Sequence, residues 1–327
     1  MTATLEEKEL QNTAPAALQI AVLIPCRNEA LTIGRVIDDF RKELPRAAIY
    51  VFDNNSTDGS ADEVRRAGAQ IMYERRQGKG HVVRSMFRRV KADVYVMVDG
   101  DGTYPASAVR DLIQPIINGE ADMVIGSRLH EDSRSEFRWL NLAGNRLFCW
   151  FLARIFNQGV GDLLSGYRAF SRRFVAGTPL FAGGFDTEAE MTIRALARGL
   201  RIVEIPVDLS PRPPGSHSKI RVVRDGLVIL RSMLALFRDY KPLSFFGAIG
   251  LFLIALGFVP GTIVIVQYLR TGLIFRIPSA ILAVGLTLSG LIFIVVGIIL
   301  HVIAQRFREL DFQLELLSHS VHTSDRP

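Results

Sequence analysis

Two carboxylates, one residue apart, are the clearest candidates for chemistry in this sequence. Asp99 and Asp101 stand at the end of residues 94–99 (VYVMVD), an apolar run rich in β-branched residues that predicts a strand. Paired carboxylates in such a position can hold a hard divalent cation, which prefers oxygen ligands and also binds phosphate oxygens. We therefore expect Asp99 and Asp101 to hold Mg²⁺ or Mn²⁺, which would neutralise the charge that develops on a departing nucleoside diphosphate.

Many ordinary turns contain a D-x-D pair, so the pair alone does not establish a metal site. An EF-hand loop is excluded because Tyr104 stands where that loop needs glycine, and no glutamate follows at the required spacing. The sequence contains neither a P-loop nor a G-x-G-x-x-G pattern, which argues against a dinucleotide site.

Two further polar clusters follow predicted strands. Asp53 closes the run 48–53 (AIYVFD) and is followed by NNSTDGS. Asp53 could accept hydrogen bonds from a nucleotide base or ribose, and the polar turn after it is also typical of a helix N-cap. The sequence PCRNE at residues 25–29 follows the apolar run 20–25, and taken alone it is equally consistent with a structural role.

Strand-like and helix-like segments alternate along the first half of the chain. Strands are predicted at residues 20–25, 48–53, 70–73, 94–99, 122–126 and 202–207, and helices at 31–44, 79–91, 105–118 and 140–156. This alternation predicts an α/β fold with a mostly parallel sheet and helices on both faces. Ligands bind beyond the carboxyl ends of the strands in such sheets, a rule that points to Pro25, Asp53, Asp99 and Gly126.

Two long apolar stretches near the C-terminus predict membrane spans. Residues 242–269 carry no charged side chain, and residues 277–305 carry none except a possible charge on His301. Each would be roughly 40 Å long as a helix, whereas the hydrocarbon core is about 30 Å thick. Their length argues against a pair of buried core helices. Residues 222–240 predict an amphipathic helix, lying either on the bilayer surface or packed against the protein.

The distribution of charge predicts the orientation of these spans. The formal net charge is +6, and the larger basic excess lies on the side shared by both ends of the predicted hairpin, which the positive-inside rule places in the cytoplasm. These cations adjoin the membrane segments, so anionic lipid explains them better than nucleic acid does. The first 19 residues contain no apolar signal-peptide core. Two isolated cysteines, Cys26 and Cys149, suit a reducing compartment.

An ordered series of motifs resembles a known family. The motifs are PCRNEA, DNNSTDGS, QGKG (77–80), DGDGTYP, GSR (126–128), SGYRAFSR (165–172) preceded by Asp162, and RPPGSHSK (212–219). In this order, over roughly residues 18–240, they resemble the family 2 glycosyltransferases, and specifically the polyprenyl-phosphate hexose synthases, which include dolichyl-phosphate mannose synthase. The resemblance implies a GT-A type catalytic domain.

The resemblance also implies roles for individual residues. The nucleotide-binding set is Pro25, Asn28, Glu29, Asp53, Asn55, Lys79, Asp99, Gly100, Arg212 and Lys219, of which Asp99 also binds metal together with Asp101. The catalytic set is Asp101, Asp162 and Arg128, and the acceptor-phosphate and sugar set is Arg128, Arg138, Asn145, Tyr167 and Arg168. Two of these have structural alternatives, since Asp162 could form a salt bridge with a nearby arginine and Tyr167 could serve only in packing.

The sequence departs from the family pattern in places. Thr103 stands where dolichyl-phosphate mannose synthases often carry a glutamine ligand to the metal, and Asn54-Asn55 stand where relatives often have Asp-Gly. The family's acceptor-phosphate arginine and serine have only approximate counterparts, in Arg138 and in Asn141 and Asn145.

The implied reaction is a single displacement with inversion, from a UDP- or GDP-linked sugar to undecaprenyl or dolichyl phosphate. A phosphate monoester has a second pKa of about 6, so the acceptor is largely a dianion at neutral pH and needs little help from a base. Three alternatives stay open. The first is a processive polysaccharide synthase, which is disfavoured because Ser135 replaces the expected glutamine of its motif. The second is a transferase that acts on a hydroxyl group with Asp162 as the base. The third is a non-catalytic sugar-nucleotide sensor.

The expected organisation has five parts. These are a flexible N-terminus (1–18), a catalytic domain (19–220), an amphipathic juxtamembrane helix (221–241), a transmembrane hairpin (242–304) and a cytoplasmic tail (305–327) that is disordered after about residue 318. We expect an integral membrane protein, in the plasma membrane of a prokaryote, with its catalytic domain and both termini in the cytoplasm. Relatives form oligomers through their membrane parts, so a homo-oligomer is plausible.

Overall fold

A computed structural model describes residues 18–129, 139–156, 158–181, 186–210 and 222–324. The chain divides into two compact units, Met1–Ser232 and Met233–Pro327. The described residues of the first unit form an α/β domain around a single sheet.

The described strands form a seven-stranded sheet in the order β3-β2-β1-β4-β6-β5-β7. The strands are β1 (Ile20–Cys26), β2 (Ala48–Asp53), β3 (Gln70–Tyr73), β4 (Val94–Met97), β5 (Met123–Ser127), β6 (Arg168–Ser171) and β7 (Ile202–Pro206). All neighbouring strands pair in parallel except β6, which is antiparallel to β4 and to β5. The predicted α/β fold with a mostly parallel sheet is confirmed.

Strand β6 was not predicted from the sequence. It is four residues long and begins with the charged Arg168, so it shows neither an apolar run nor a clear alternation. Its pairing with β4 and β5, which come from distant parts of the chain, makes it a strand.

Helices lie close to the four segments in which the sequence predicts them, but two further helices, Arg172–Gly177 and Thr187–Ala197, were not predicted. The described helices of this unit are α1 (Ile33–Glu43), α2 (Ser60–Arg66), α3 (Lys79–Arg89), α4 (Val109–Ile117), α5 (Trp139–Phe156), α6 (Arg172–Gly177) and α7 (Thr187–Ala197). In α1 the buried residues are Ile33, Val36, Ile37 and Phe40, which share one helical face. This face packs in the same apolar core as the side chains of β1 and β4.

The central strands β1 and β4 are buried, which explains why they appear in the sequence as apolar runs. Residues 21–24 of β1 and all four residues of β4 are buried, as expected for parallel strands that are covered on both faces. Pairing of β1 with β2 places Cys26 opposite Asp53. The carboxyl ends of β1, β2 and β4 therefore lie side by side, with Asp99 two residues beyond β4.

Three helices complete the chain. Helix α8 (Val222–Tyr240) crosses the boundary between the two units, and α9 (Pro242–Thr271) and α10 (Ile277–Ser324) follow. Leu227, Leu230 and Leu234 of α8 are exposed at helical spacing, which gives the helix the apolar face that the sequence predicts.

Two segments, Pro242–Thr271 and Ile277–Phe307, are long and apolar enough to cross a membrane, with mean hydropathies of 2.5 and 2.7. Helices α9 and α10 pack closely at Gly250, where an added Cβ would lie 2.5 Å from the carbonyl oxygen of Gly290. Close approach at small residues is typical of membrane helices.

Helix α10 continues through Ser324, beyond the point at which the sequence predicts disorder. The segment after the apolar stretch is rich in helix-forming residues, and Arg306 pairs with Glu309 at 2.7 Å within it.

Candidate active site

The loop after β4 presents the two candidate metal ligands. Gly102 adopts a positive φ of 73°, which suits a glycine at this turn. Thr32 donates a hydrogen bond to the carbonyl oxygen of Gly100 at 2.7 Å. The carboxylate of Asp101 accepts hydrogen bonds from the backbone N–H and the hydroxyl of Thr103, at 3.1 and 2.6 Å. Thr103 therefore orients Asp101 in this structure.

Lys79 joins the candidate metal-binding loop to helix α7, which was not predicted from the sequence. Its Nζ lies 2.5 Å from Oδ1 of Asp99 and 2.6 Å from Oε1 of Glu188. Lys79 is the first residue of α3, and Glu188 lies in the first turn of α7. An acidic residue in that position ordinarily indicates only a favourable interaction with the helix dipole. The sequence therefore carried no signal that Glu188 belongs to this site.

The charges around Lys79 shift the pKa values of this group. Burial alone would lower the pKa of Lys79, but Asp99 and Glu188 raise it above its ordinary value, so Lys79 stays a cation. Burial, helped by the charges of Glu188 and Asp101, raises the pKa of Asp99 although Lys79 opposes that change. The site therefore has more negative charge than Lys79 alone balances, a condition that favours binding of a further cation.

Gly166 packs directly against Asp99. A Cβ at position 166 would overlap the carboxylate of Asp99. The backbone N–H of Gly166 donates a hydrogen bond to the hydroxyl oxygen of Tyr104 at 2.9 Å. The glycine of the SGYRAFSR motif is thus explained by the close approach of backbone and carboxylate.

The first two motifs interlock at the carboxyl ends of β1 and β2. The side chain of Asn28 accepts a hydrogen bond from the backbone N–H of Thr57 at 2.8 Å, and the backbone N–H of Asn28 donates to the Ser56 hydroxyl at 2.9 Å. The backbone N–H of Glu29 likewise donates to the hydroxyl of Ser60 at 2.8 Å. The proposed nucleotide residues Pro25, Asn28 and Glu29 are therefore brought beside the turn that follows β2.

Asn28 and Asn55, two of the expected nucleotide-binding residues, have clear structural roles. Asn28 and Asn55 adopt positive φ angles of 53° and 61°, a conformation that asparagine tolerates better than most residues. Asn55 also donates to the carbonyl oxygen of Arg75 at 2.9 Å. Asp53 accepts from the backbone N–H of Ser56 at 3.3 Å through Oδ2. Its Oδ1 is buried and has no hydrogen-bond partner among the residues that the structure describes.

Asp162 and Arg128 form a bidentate ion pair. Arg128 Nε lies 2.8 Å from Oδ2 and Nη2 lies 2.9 Å from Oδ1, and the backbone N–H of Arg128 adds a hydrogen bond at 3.1 Å. Burial acts to raise the pKa of Asp162, but the charge and hydrogen bonds of Arg128 outweigh it and lower the pKa below its ordinary value. The salt-bridge alternative for Asp162 is thus the arrangement in this structure.

The loop that carries Asp162 is held by two side chains from elsewhere in the fold. Glu204 of β7 accepts hydrogen bonds from the backbone N–H groups of Gly161 and Asp162, at 2.7 and 2.9 Å. Asn145 of α5 donates to the carbonyl oxygen of Gly161 at 2.9 Å and accepts from the N–H of Leu163 at 3.2 Å. Asn145, an expected acceptor ligand, is buried and serves here to position the loop.

Tyr167 and Arg168 lie in the core, which corrects the expectation that they contact the acceptor. Both are 0% exposed. Arg168 donates to the carbonyl oxygens of Ser165 and Leu163 and to the hydroxyl of Thr192, at 2.8, 2.7 and 2.8 Å. A guanidinium occupied in this way is not available to a phosphate at the surface.

The ring of Tyr167 packs between those of Phe40 and Tyr104, with centroid distances of 6.0 and 5.3 Å. Burial raises the pKa of the Tyr167 hydroxyl. The packing alternative considered for this residue matches the structure.

Three candidate residues, Arg138, Arg212 and Lys219, lie outside the described residues, and only the backbone of Asn141 is described. Their expected roles stay predictions.

Comparison with known proteins identifies the family. Residues 21–177 match the glycosyl transferase family 2 domain. A Haloferax volcanii protein named glycosyltransferase AglJ is 32% identical over 304 residues, which cover 93% of this chain and 99% of that protein. This chain belongs to glycosyltransferase family 2. It is thus an enzyme of the hexosyltransferase type, as the ordered motifs predicted.

Two other proteins are informative neighbours of this glycosyltransferase. A Haloferax volcanii protein named dolichyl-phosphate hexose transferase is 27% identical over 215 residues, covering 66% of this chain and 92% of that protein. The crystal structure of glucosyl-3-phosphoglycerate synthase from Mycobacterium tuberculosis has a TM-score of 0.56 at 22% identity, covering 67% of this chain and 80% of the synthase. A complex of the same synthase with Mn²⁺ and UDP-glucose has a TM-score of 0.51 at 23% identity, covering 68% and 79%. This likeness establishes the GT-A fold.

Proposed function

We propose that this glycosyltransferase transfers a hexose from a UDP- or GDP-linked donor to a polyprenyl phosphate, with inversion at the anomeric carbon. The observation that carries the choice of acceptor is the bidentate pair of Asp162 with Arg128. A carboxylate whose pKa is lowered by such a pair is a weak base. A hydroxyl acceptor would need a base, whereas a phosphate dianion is already a nucleophile.

The donor site fits a divalent cation held by Asp99 and Asp101. The two carboxylates supply hard oxygen ligands, and the described residues contain no cluster of three or more acidic, histidine or cysteine side chains suited to a metal. Mg²⁺ is commonly bound through one or two carboxylates together with substrate phosphates, so two ligands suffice. The complex of the structurally similar synthase with Mn²⁺ and UDP-glucose supports this assignment. Bound there, Mg²⁺ or Mn²⁺ would stabilise the charge on the leaving diphosphate.

The nucleotide is assigned to the interlocked turns after β1 and β2. Among the described residues Oδ1 of Asp53 is a buried carboxylate oxygen without a partner, and leaving such a group unpaired costs about 1–3 kcal/mol. A donor N–H or hydroxyl from a base or ribose would satisfy it. Lys79 lies beside Asp99 and can pair with a diphosphate. We retain Arg212 and Lys219 as further proposed cations that contact the donor diphosphate.

The acceptor phosphate is assigned to the surface beside Arg128, whose side chain is 18% exposed. Arg138 is retained as a second proposed contact. Arg128 can add a charge–charge interaction with the phosphate while Asp162 holds its guanidinium in place.

The membrane part supports a lipid acceptor. We propose residues 19–220 as the catalytic domain, 221–241 as a helix on the bilayer surface and 242–304 as a transmembrane hairpin. The excess of basic residues on one side of the hairpin would place the catalytic domain in the cytoplasm. The relative named dolichyl-phosphate hexose transferase supports the acceptor class.

The decisive experiment is transfer of labelled sugar to undecaprenyl or dolichyl phosphate in detergent, with Mg²⁺ or Mn²⁺, across a panel of UDP- and GDP-sugars. We expect a chloroform-soluble product from one donor. A preparation that binds nucleotide and metal but labels no lipid phosphate would overturn the proposed acceptor. Transfer to a hydroxyl-bearing lipid or protein in that case would make Asp162 the first residue to test as a base.

A further inference from the structure

We propose that Lys79 is an internal counter-ion of the metal site, and that Glu188 is a positioning residue that keeps Lys79 paired when a divalent cation takes Asp99. The inference rests on the proposed function, since it assumes that Asp99 binds the cation. Beyond that function, Lys79 and the metal compete for Asp99, and Glu188 belongs to the donor site.

The geometry places one ammonium between two carboxylates from different parts of the chain. Lys79 Nζ lies 2.5 Å from Asp99 and 2.6 Å from Glu188, so both contacts are direct ion pairs. The side chains of Lys79 and Glu188 are only 13% and 5% exposed, whereas that of Asp99 is 29% exposed. Asp99 is thus the partner that a cation from solvent can reach.

The position of Glu188 is set by the core. Thr192 donates a hydrogen bond to the carbonyl oxygen of Glu188 at 3.1 Å and accepts one from the buried Arg168 at 2.8 Å. These contacts fix the first turn of α7. With its backbone fixed and its carboxylate already in contact with Lys79 Nζ, Glu188 can keep Lys79 paired when the pair between Lys79 and Asp99 breaks.

A buried ammonium without a partner is strongly unfavourable. If Asp99 were the sole partner of Lys79, a metal at Asp99 would leave Lys79 in that state. Glu188 removes this penalty because Lys79 can stay paired with it. The phosphates of a bound donor would offer Lys79 a second partner, so metal and nucleotide should bind with positive coupling.

The competition predicts opposite effects from two substitutions. Without nucleotide, Lys79→Met removes the competing cation, and we expect Mn²⁺ to bind about tenfold more tightly, equivalent to about 1.4 kcal/mol. Glu188→Gln leaves Lys79 dependent on Asp99, and we expect Mn²⁺ to bind about tenfold more weakly. The measurement is the paramagnetic resonance signal of free Mn²⁺ during titration of the purified full chain, repeated with UDP and with GDP.

The matched control is Glu190→Gln. Glu190 lies on the same helix and is buried like Glu188, but it pairs with Arg194 at 2.7 Å. We expect unchanged Mn²⁺ affinity in this variant. Thermal unfolding of each variant in detergent checks that the fold is kept, and Lys79→Gln replaces Lys79→Met if the methionine variant does not fold.

The outcomes separate the inference from the proposed function. Weaker Mn²⁺ binding in both variants, or unchanged binding in both, would overturn the inference while Mn²⁺ binding by the unsubstituted protein still supports the donor site. Loss of the coupling between nucleotide and Mn²⁺ in Lys79→Met would support it further. Absence of Mn²⁺ binding by the unsubstituted protein, even with nucleotide, would overturn both.

Discussion

Arg128 donates hydrogen bonds to both carboxylate oxygens of Asp162, from Nε to Oδ2 at 2.8 Å and from Nη2 to Oδ1 at 2.9 Å. The side chain of Asp162 is fully buried in this pair. Each residue therefore limits what the other can do. Asp162 is held as an anion that attracts protons weakly, and Arg128, which follows β5, is held against the loop that precedes β6. The same ion pair therefore bears on the proposed acceptor and on the stability of the domain.

Replacement of Asp162 by asparagine should affect stability more than chemistry. Breaking a buried pair by removing one partner costs about 3–5 kcal/mol, so we expect a clear fall in the unfolding temperature. We expect sugar transfer to polyprenyl phosphate to be reduced but retained, because the phosphate needs no base. Complete loss of transfer in a folded variant that still binds donor would instead show that the carboxylate is essential to the reaction.

The stabilisation by Asp162 should depend on pH in a defined direction. The pKa of Asp162 in the folded protein is below the ordinary value of about 3.9. Its ionisation therefore stabilises the fold fully above that value, and the stabilisation is lost as the pH falls through the lower folded-state pKa. The difference in unfolding temperature between the unsubstituted protein and Asp162→Asn should be constant from pH 8 to pH 5. A difference that fades between pH 7 and pH 5 would contradict the lowered pKa.

Asp101→Asn should abolish turnover while leaving the fold intact. The substitution removes a proposed metal ligand, and a loss of several kcal/mol of transition-state stabilisation lowers the rate by about 10²-fold or more. Transfer of labelled sugar and circular dichroism are the two measurements. Asp111→Asn, at an exposed position in α4, is the matched control and should transfer normally. Normal turnover of Asp101→Asn would remove this ligand from the mechanism.

Tyr167→Phe should leave the enzyme active and at least as stable. The hydroxyl of Tyr167 is buried without a hydrogen-bond partner in the part of the chain that the structure describes, so its removal relieves an unfavourable burial. We expect an unchanged KM for polyprenyl phosphate and an equal or higher unfolding temperature. A raised KM with unchanged stability would restore Tyr167 as an acceptor contact.

Gly166→Ala should displace Asp99 and weaken the metal site. The new methyl group would overlap the Asp99 carboxylate, and that side chain has to move or the loop has to shift. We expect weaker Mn²⁺ binding and lower turnover together. Gly159→Ala is the control, because an added Cβ there meets no atom within 4 Å in the part of the chain that the structure describes. Equal Mn²⁺ affinity in the two variants would show that Asp99 tolerates the displacement.

Much of the fold could be predicted because its signals are local. The strands β1 and β4 are covered on both faces and therefore appear as uninterrupted apolar runs, and α1 shows its buried face as a repeat at helical spacing. The two helices that are long and apolar enough to cross a membrane were equally predictable, since a hydrocarbon core demands long stretches without charge. Strand β6 lacked any such signal because its pairing with β4 and β5 depends on residues far away in the chain.

The types of residue at the candidate site were also determined by the sequence. Asp99, Asp101 and Asp53 each follow a predicted strand, and parallel strands bring such residues to one edge of the sheet. The order of the motifs was enough to identify family 2 and the enzyme class.

Only the tertiary structure decided which charged groups meet. Arg128 and Arg168 are indistinguishable as residue types, yet Arg128 reaches the edge of the site while Arg168 is enclosed in the core. Lys79 and Glu188 are more than a hundred residues apart in sequence and form a direct ion pair. The physical reason is that ion pairing and burial depend on distances of a few ångströms in the folded chain, which residue type and spacing along the sequence do not encode.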